Sequence, residues 1–254
     1  MSASFEGLVA VVTGGASGIG AATVDRLRGR GARVASLDLA PADGDRGCLE
    51  VACDVTDERS VSDAVAEVVA TYGGLDVVVN NAGAGAVGSV EDSDDDTFRR
   101  LFEVNVLGAA RVTRAALPHL RNSRSPVVVN TSSVAATVGL PKRAAYAASK
   151  GALQSLTLAM AADHVAEGIR VCAVAPGTAD TPWVRRLLDQ ASDPAAERTA
   201  LEARQPSGRL VGAEEVAAAI CALASPDSPS ATGSVVVIDG GLSSLRLPAA
   251  EAAR

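Results

Sequence analysis

The chain predicts an α/β fold: a single Rossmann-type doubly wound parallel sheet flanked by helices, with a short helical substrate lid. Three observations carry this. Short runs apolar at every position alternate with segments of helical period, a glycine-rich turn closes the first run, and no Pro/Gly/Ser linker interrupts the array. Residues 1–254 therefore read as one domain. Of these residues 48% are hydrophobic but only 2% aromatic, so Ala, Val, Leu and Gly must do the packing, as suits a sheet covered by helices on both faces.

The first apolar run, 8–12, leads into Thr13-Gly14-Gly15-Ala16-Ser17-Gly18-Ile19-Gly20, and a helical pattern then runs over 20–30. Glycines at 14, 18 and 20 permit a tight turn and close backbone approach to a pyrophosphate, which the helix N-terminus attracts with its free N–H groups. Such a turn can also be a plain strand–helix connection; its place directly between first strand and first helix favours the nucleotide reading.

The second run, 33–37, ends at Asp38, about 20 residues beyond the glycines. A carboxylate there accepts from both adenosine-ribose hydroxyls and repels a 2′-phosphate. Leu39 follows it and Ser17 precedes a motif glycine, and neither supplies the cation an NADP site needs, so NAD is preferred. The third strand ends in Ala52-Cys53-Asp54-Val55, and the fourth, at 77–79, runs into Asn80-Asn81-Ala82-Gly83. Small residues at strand ends make turns, and in an open parallel sheet they also keep the ligand crevice clear. Further strands are expected at 127–129, 171–175 and 235–238, the sixth leading to Pro176-Gly177, with helices at 58–71, 97–121, 146–167 and 213–223. The polar, charged stretch 181–208 breaks the rhythm and reads as a helical lid, and 249–254 as a frayed tail.

A net charge of −7 opposes nucleic-acid binding, which requires a basic face. No run approaches the ~20 apolar residues of a membrane span, and residues 1–6 lack the features of a signal peptide, so a soluble cytoplasmic protein is expected. Cys48, Cys53, Cys172 and Cys221 show no metal or disulfide spacing and read as free thiols, mostly buried. With only two histidines, no metal site is expected.

Ser133, Tyr146 and Lys150 stand in the spacing Ser-x12-Tyr-x3-Lys. Tyr146 and Lys150 are four apart and share a helix face. An ammonium beside a phenol favours phenolate; moving that pKa from ~10 to near 7 takes roughly 4 kcal/mol, which a close cation in a partly desolvated site can supply. Such a Tyr takes an alcohol proton, while Ser133 holds the substrate oxygen. A helix with a packed Tyr and an exposed Lys is the plain alternative. The small residues around Tyr146, one of only two tyrosines, favour the catalytic one.

Together, Thr13-Gly14-xxx-Gly18-x-Gly20, Asn80-Asn81-Ala82-Gly83, Ser133, Tyr146-xxx-Lys150 and Pro176-Gly177 resemble the short-chain dehydrogenase/reductase family, from about Leu8 to Leu242 and in the family's order. The resemblance implies Tyr146 as general acid/base, Lys150 as its pKa tuner and nicotinamide-ribose ligand, Ser133 as substrate orienter, and Asn105 as fourth member of a proton relay through water. It also implies that Asp54 and Val55 flank adenine and that Thr181 approaches the nicotinamide amide. Ala179 replaces the family's usual Val or Ile at a contact made mainly by backbone.

The lid carries Trp183, Arg185, Arg186, Arg198 and Arg204. Solvated helix-face charge is one reading of these arginines. The region is also similar to the type-2 3-hydroxybutyrate dehydrogenases and to dehydrogenases of sugars and sugar acids, which implies that Arg143 and Arg204 grip a carboxylate, as a guanidinium fork is suited to do. One basic position of that branch falls on Leu187, beside Arg186. A small hydroxy acid or sugar acid is the expected substrate. Alternatives are an NADPH-dependent 3-oxoacyl-carrier reductase, disfavoured by Asp38 and by the acidic charge, and a catalytically silent NAD-binding regulator. Helices apolar well around their circumference at 104–117 and 152–162 call for cover by other subunits, and the resemblance implies a homotetramer.

Overall fold

Valine fills the strands because β-branched side chains pack well on a pleated, buried surface. In the computed structural model, which describes residues 5–189 and 191–246, β1 (Val9–Thr13), β4 (Val77–Asn80) and β5 (Val127–Thr131) are buried at every position. The expected frayed tail at 249–254, and most of residues 1–6, lie outside the described residues.

The other strands are β2 (Arg33–Asp38), β3 (Leu49–Ala52), β6 (Arg170–Pro176), β7 (Ala179–Asp180), β8 (Val211–Gly212) and β9 (Val235–Ile238). Seven of the nine form one parallel sheet in the order β3-β2-β1-β4-β5-β6-β9, while β7 and β8 pair apart from it. Helices α1 (Gly18–Arg28) and α8 (Ala213–Ala224) cover one face through Val24, Leu27, Val216 and Ile220. The other face packs on α2 (Glu58–Tyr72), α4 (Gly108–Leu120) and α5 (Ala144–His164), through Val61, Val65, Val112, Ala116 and Met160. Burying each such Val, Leu, Ile or Met is worth about 1.5–3 kcal/mol against exposure, so the two apolar layers hold the sheet between them.

Local chemistry sets the helix ends. The Asp57 carboxylate accepts from the Arg59 and Ser60 N–H groups to start α2, and Gly73, at φ +83°, ends it. Asp94 caps α3 (Asp95–Phe102) in the same way.

The order in which the chain adds strands reverses between β1 and β4, which run parallel, and the carboxyl ends of these strands form the crevice of the fold. Three expectations change in detail. The helix expected at 97–121 is α3, a π turn at Glu103–Leu107, then α4. The run in β9 is not covered on both faces: Val236 and Val237 are 37% and 48% exposed, because this strand is the sheet's outer edge. The lid holds two helices, α6 (Pro182–Asp189) and α7 (Pro194–Ala203), with a small apolar cluster of Val184, Leu188, Leu201 and Leu210 beneath them. The strands β7 and β8 frame it and are too short to leave a periodicity in the sequence.

A Cβ at Gly20 would overlap the Gly14 carbonyl oxygen and lie 2.7 Å from Asn81 Nδ2. Gly20→Ala should therefore lower unfolding free energy by about 2 kcal/mol in urea titrations, the range of an overpacked core, whereas Gly74→Ala, where nothing lies within 4 Å of the added carbon, should change it little.

Candidate active site

A cleft of about 550 Å³ runs along the carboxyl ends of the strands, from Asp38 at one end to Tyr146 and Arg143 at the other. Its floor is the glycine turn. Gly14 (φ +64°) and Gly18 (φ +55°) take left-handed conformations that side chains resist, and the start of α1 faces the opening. Gly14, Ser17, Gly18 and Ile19 line this part. Gly20 and Thr13 do not: Gly20 lets the helix pack on the turn, and Thr13 is buried beneath it. The Thr13 hydroxyl accepts from the N–H groups of Asn81 and Ala82, each at 3.0 Å, while Asn81 Nδ2 donates to the carbonyls of Thr13 (3.1 Å) and Gly14 (3.2 Å). β1 and β4 are thus clasped at the point where the cleft opens.

At the far end of β2, Asp38 accepts from Ala16 N–H at 3.1 Å through Oδ2 and from Ala40 N–H at 3.2 Å through Oδ1. Each oxygen retains acceptor capacity toward the cleft. Asp54 and Val55 line the same end, the Asp54 carboxylate also holding the Thr56 N–H and hydroxyl. A bare, glycine-built floor, a helix N-terminus and an acceptor carboxylate make a donor and acceptor set that fits a nicotinamide dinucleotide, with Asn81, Ala82, Gly83, Pro176, Gly177, Ala179 and Thr181 continuing the wall.

The other end gathers Ser133, Tyr146 and Lys150. Lys150 is 4% exposed, and its Nζ donates to the Thr131 carbonyl at 2.8 Å. Burial pulls its ammonium down from 10.5 to about 8. The Tyr146 phenol is pushed up by burial and drawn down by a hydrogen bond with Ser133 and then by the charge of Arg143. This corrects the expectation that Lys150 brings the phenol near neutrality. Nζ lies 5.9 Å from the ring centroid, and desolvation, the larger effect, wins.

Asn105 lies in the π turn and outside the cleft wall. Its amide donates to the Ala84 carbonyl and to Ser149 Oγ, each at 2.9 Å, and its Oδ1 accepts from Ala84 N–H at 2.8 Å. Ser149 in turn donates to the Tyr146 carbonyl at 2.8 Å. Asn105 is therefore tied to the start of α5 through Ser149, a residue the motif spacing does not reveal. π turns concentrate at functional sites, so a better marker is the irregular winding that sets Asn105 there.

Arg143 lines the substrate end, donating to the Ala86 carbonyl at 3.1 Å and stacking 5.8 Å over Trp183, whose ring closes against Gly85. Burial lowers the Arg143 pKa from its ordinary value. Arg204 does not line the cleft wall, although its charge reaches Arg143 and lowers the Arg143 pKa after burial does. At the end of α7 the chain turns Gln205 inward, where Nε2 donates to Arg209 O at 2.6 Å, and its neighbour Arg204 faces solvent. Arg185 and Arg198 pair with Asp180 at 3.1 and 3.4 Å. Arg186 and Leu187 line the cleft instead, together with Leu140 and Leu201, two residues that no motif spacing marks. Cys53 and Cys221 are buried free thiols held up at about 11 by desolvation.

A family model described as enoyl-(acyl carrier protein) reductase matches residues 14–243. The chain belongs to the short-chain dehydrogenase/reductase family. Cis-4-hydroxycyclohexanecarboxylate dehydrogenase of Sinomonas cyclohexanicum is 41% identical over 95% of this chain and 98% of the relative, and L-fucose dehydrogenase of Mus musculus 38% identical over 93% and 89%. Ligand-free aldohexose dehydrogenase of Thermoplasma acidophilum superposes with a TM-score of 0.90 at 33% identity, covering 96% of this chain and 98% of that structure. As a member of this family, the chain is an oxidoreductase that transfers a hydride between a nicotinamide cofactor and an alcohol or carbonyl group. Among the described residues no helix is long and apolar enough to cross a membrane.

The folded pKa of Lys150 lies below its unfolded value, so between pH 8 and 10.5 the unfolded chain binds the extra proton and stability rises with pH. Relative to Lys150→Met, the wild type should gain roughly 1 kcal/mol per pH unit from about pH 8 to 10 in chemical denaturation. A pH-independent difference would mean an ordinary lysine.

Proposed function

We propose that this short-chain dehydrogenase uses NAD to oxidise a small hydroxy acid, with Tyr146 taking the alcohol proton and Arg143 receiving the carboxylate. The observation that carries the reading is the convergence of Tyr146, Ser133, Lys150 and Arg143 at one end of a cleft whose other end is Asp38. Bound NAD supplies the hydride acceptor. Toward it, Gly14, Ser17, Gly18 and Ile19 with the α1 N-terminus hold the pyrophosphate, and Asp38 accepts from the adenosine-ribose hydroxyls and repels a 2′-phosphate. Asp54 and Val55 flank the adenine, and Lys150, Pro176, Gly177, Ala179 and Thr181 border the nicotinamide end.

Ser133 donates to the substrate oxygen and fixes it against the phenol. Lys150 places a buried cation 5.9 Å from the ring centroid, and the charge of Arg143 adds a second, so a deprotonated Tyr146 has two cations near it. Asn105 acts as a positioning residue, fixing Ala84 and, through Ser149, the first turn of α5. Trp183, Leu140, Leu187 and Leu201 give the substrate body an apolar wall, with Arg186 beside it. The relative that acts on a hydroxycyclohexanecarboxylate supports an acid with such a body, whereas the L-fucose and aldohexose dehydrogenases support a neutral sugar as the second reading. We extend the reading to a cytoplasmic homotetramer, supported by the exposed Leu107, Leu158 and Val237 and by the acidic, free-thiol composition.

Tyr146→Phe should lower NAD reduction by about 10³-fold while leaving NADH binding, followed by fluorescence, intact. A silent regulator would keep its function in that variant. Arg143→Ala should raise KM for hydroxy acids by roughly 10- to 100-fold and leave neutral polyols and aldoses unaffected in the same panel. Turnover with NADP alone would overturn the assignment to Asp38.

A further inference from the structure

Arg46, on the loop between β2 and β3, is 19% exposed in its side chain and reaches under the glycine turn. Its Nη1 donates to the Gly15 carbonyl at 3.0 Å. The N–H of the same peptide unit, on Ala16, donates to Asp38 Oδ2 at 3.1 Å. One peptide plane therefore carries a guanidinium on its oxygen and the Asp38 carboxylate on its hydrogen, an arrangement in which each hydrogen bond polarises the other. The guanidinium is itself anchored: Nη1 meets Glu50 Oε1 at 3.3 Å on β3, and Nη2 meets Asp25 Oδ1 at 3.4 Å on α1. The loop is pinned beside it by Arg28, whose Nε donates to the Gly47 carbonyl at 2.8 Å.

We propose that Arg46 is a positioning residue for nucleotide binding: by fixing the Gly15–Ala16 peptide, it holds the Asp38 carboxylate in the orientation that receives the adenosine ribose. Two flanking carboxylates, Glu50 and Asp25, hold its charge where it is, so it does not turn toward a 2′-phosphate. This rests on the reading of Asp38 as the ribose acceptor.

A double-mutant cycle on cofactor affinity tests it, with Kd for NADH and NADPH measured by fluorescence titration on the full chain and kcat at saturating NAD alongside. Asp38→Asn should weaken NADH binding strongly and narrow the preference over NADPH. If it does neither, the reading of Asp38 falls, and the proposal with it. Arg46→Ala should raise Kd for NADH by about 5- to 10-fold with kcat within twofold. In the Asp38→Asn background, the same substitution should change Kd by less than twofold, because the group it acts through is gone. Equal losses in both backgrounds would mean a general effect on the turn and overturn the proposal, as would an unchanged Kd for Arg46→Ala beside a strong Asp38→Asn effect. Should Arg46→Ala fail to fold, Arg46→Lys, which keeps the charge but not the fork, carries the same cycle: a smaller loss confined to the Asp38 background supports the assignment, and no loss or an equal one refutes it.

Discussion

Thr13 and Asn81 exchange hydrogen bonds across the ends of β1 and β4, satisfying the polar groups that two neighbouring strands leave open where their connections depart to opposite faces of the sheet. With both side chains hydrogen-bonded to each other's strand, the turn after β1 lines the cleft through Gly14, Ser17, Gly18 and Ile19, and the chain after β4 continues through Ala82 and Gly83. The wall opposite depends on the same clasp. A Cβ at Gly83 would lie 3.2 Å from Asn105 Oδ1 and 3.4 Å from Lys150 Nζ, so the path of this segment sets how near the π turn and the chemical end of α5 can come.

Around that clasp the charges of the site, buried at Lys150 and partly buried at Arg143 and Asp38, are each held by a backbone partner. Lys150 rests on the Thr131 carbonyl, Arg143 on the Ala86 carbonyl and Asp38 on two N–H groups. Desolvation dominates the titration of Lys150 and Tyr146 alike, with opposite signs: it lowers the ammonium to about 8, still a cation near neutral pH, and raises the phenol. The cations near the phenol must work against this burial, which is why two of them, and a hydroxyl, converge there.

The sheet was legible because runs of Val, Ile, Leu and Ala covered on two faces leave an unmistakable pattern, and the glycines because the turn admits little else. Tyr146, Lys150 and Ser133 were legible by type and spacing. Asn105 was legible only through the family resemblance: periodicity carries no mark of a wider turn, and its partner Ser149 looks like any small helical residue. Arg46 sits on a loop whose conformation no local pattern specifies, and its role depends on a peptide plane thirty-one residues away. The lid misled most. Five cationic and aromatic side chains lie close together in sequence, yet Arg185 and Arg198 face Asp180, Arg204 faces solvent, and Arg186 faces the cleft. Helix phase decides that, and short helices start where their caps and prolines put them.

The wider turn at Glu103–Leu107 puts α3 and α4 out of phase, although they read as one continuous helix. One surplus residue rotates everything beyond it by about 100°. Counting in threes and fours across that point therefore assigns side chains to the wrong side of the molecule. Anyone redesigning the outward surface of α4 has to start the count afresh at Gly108.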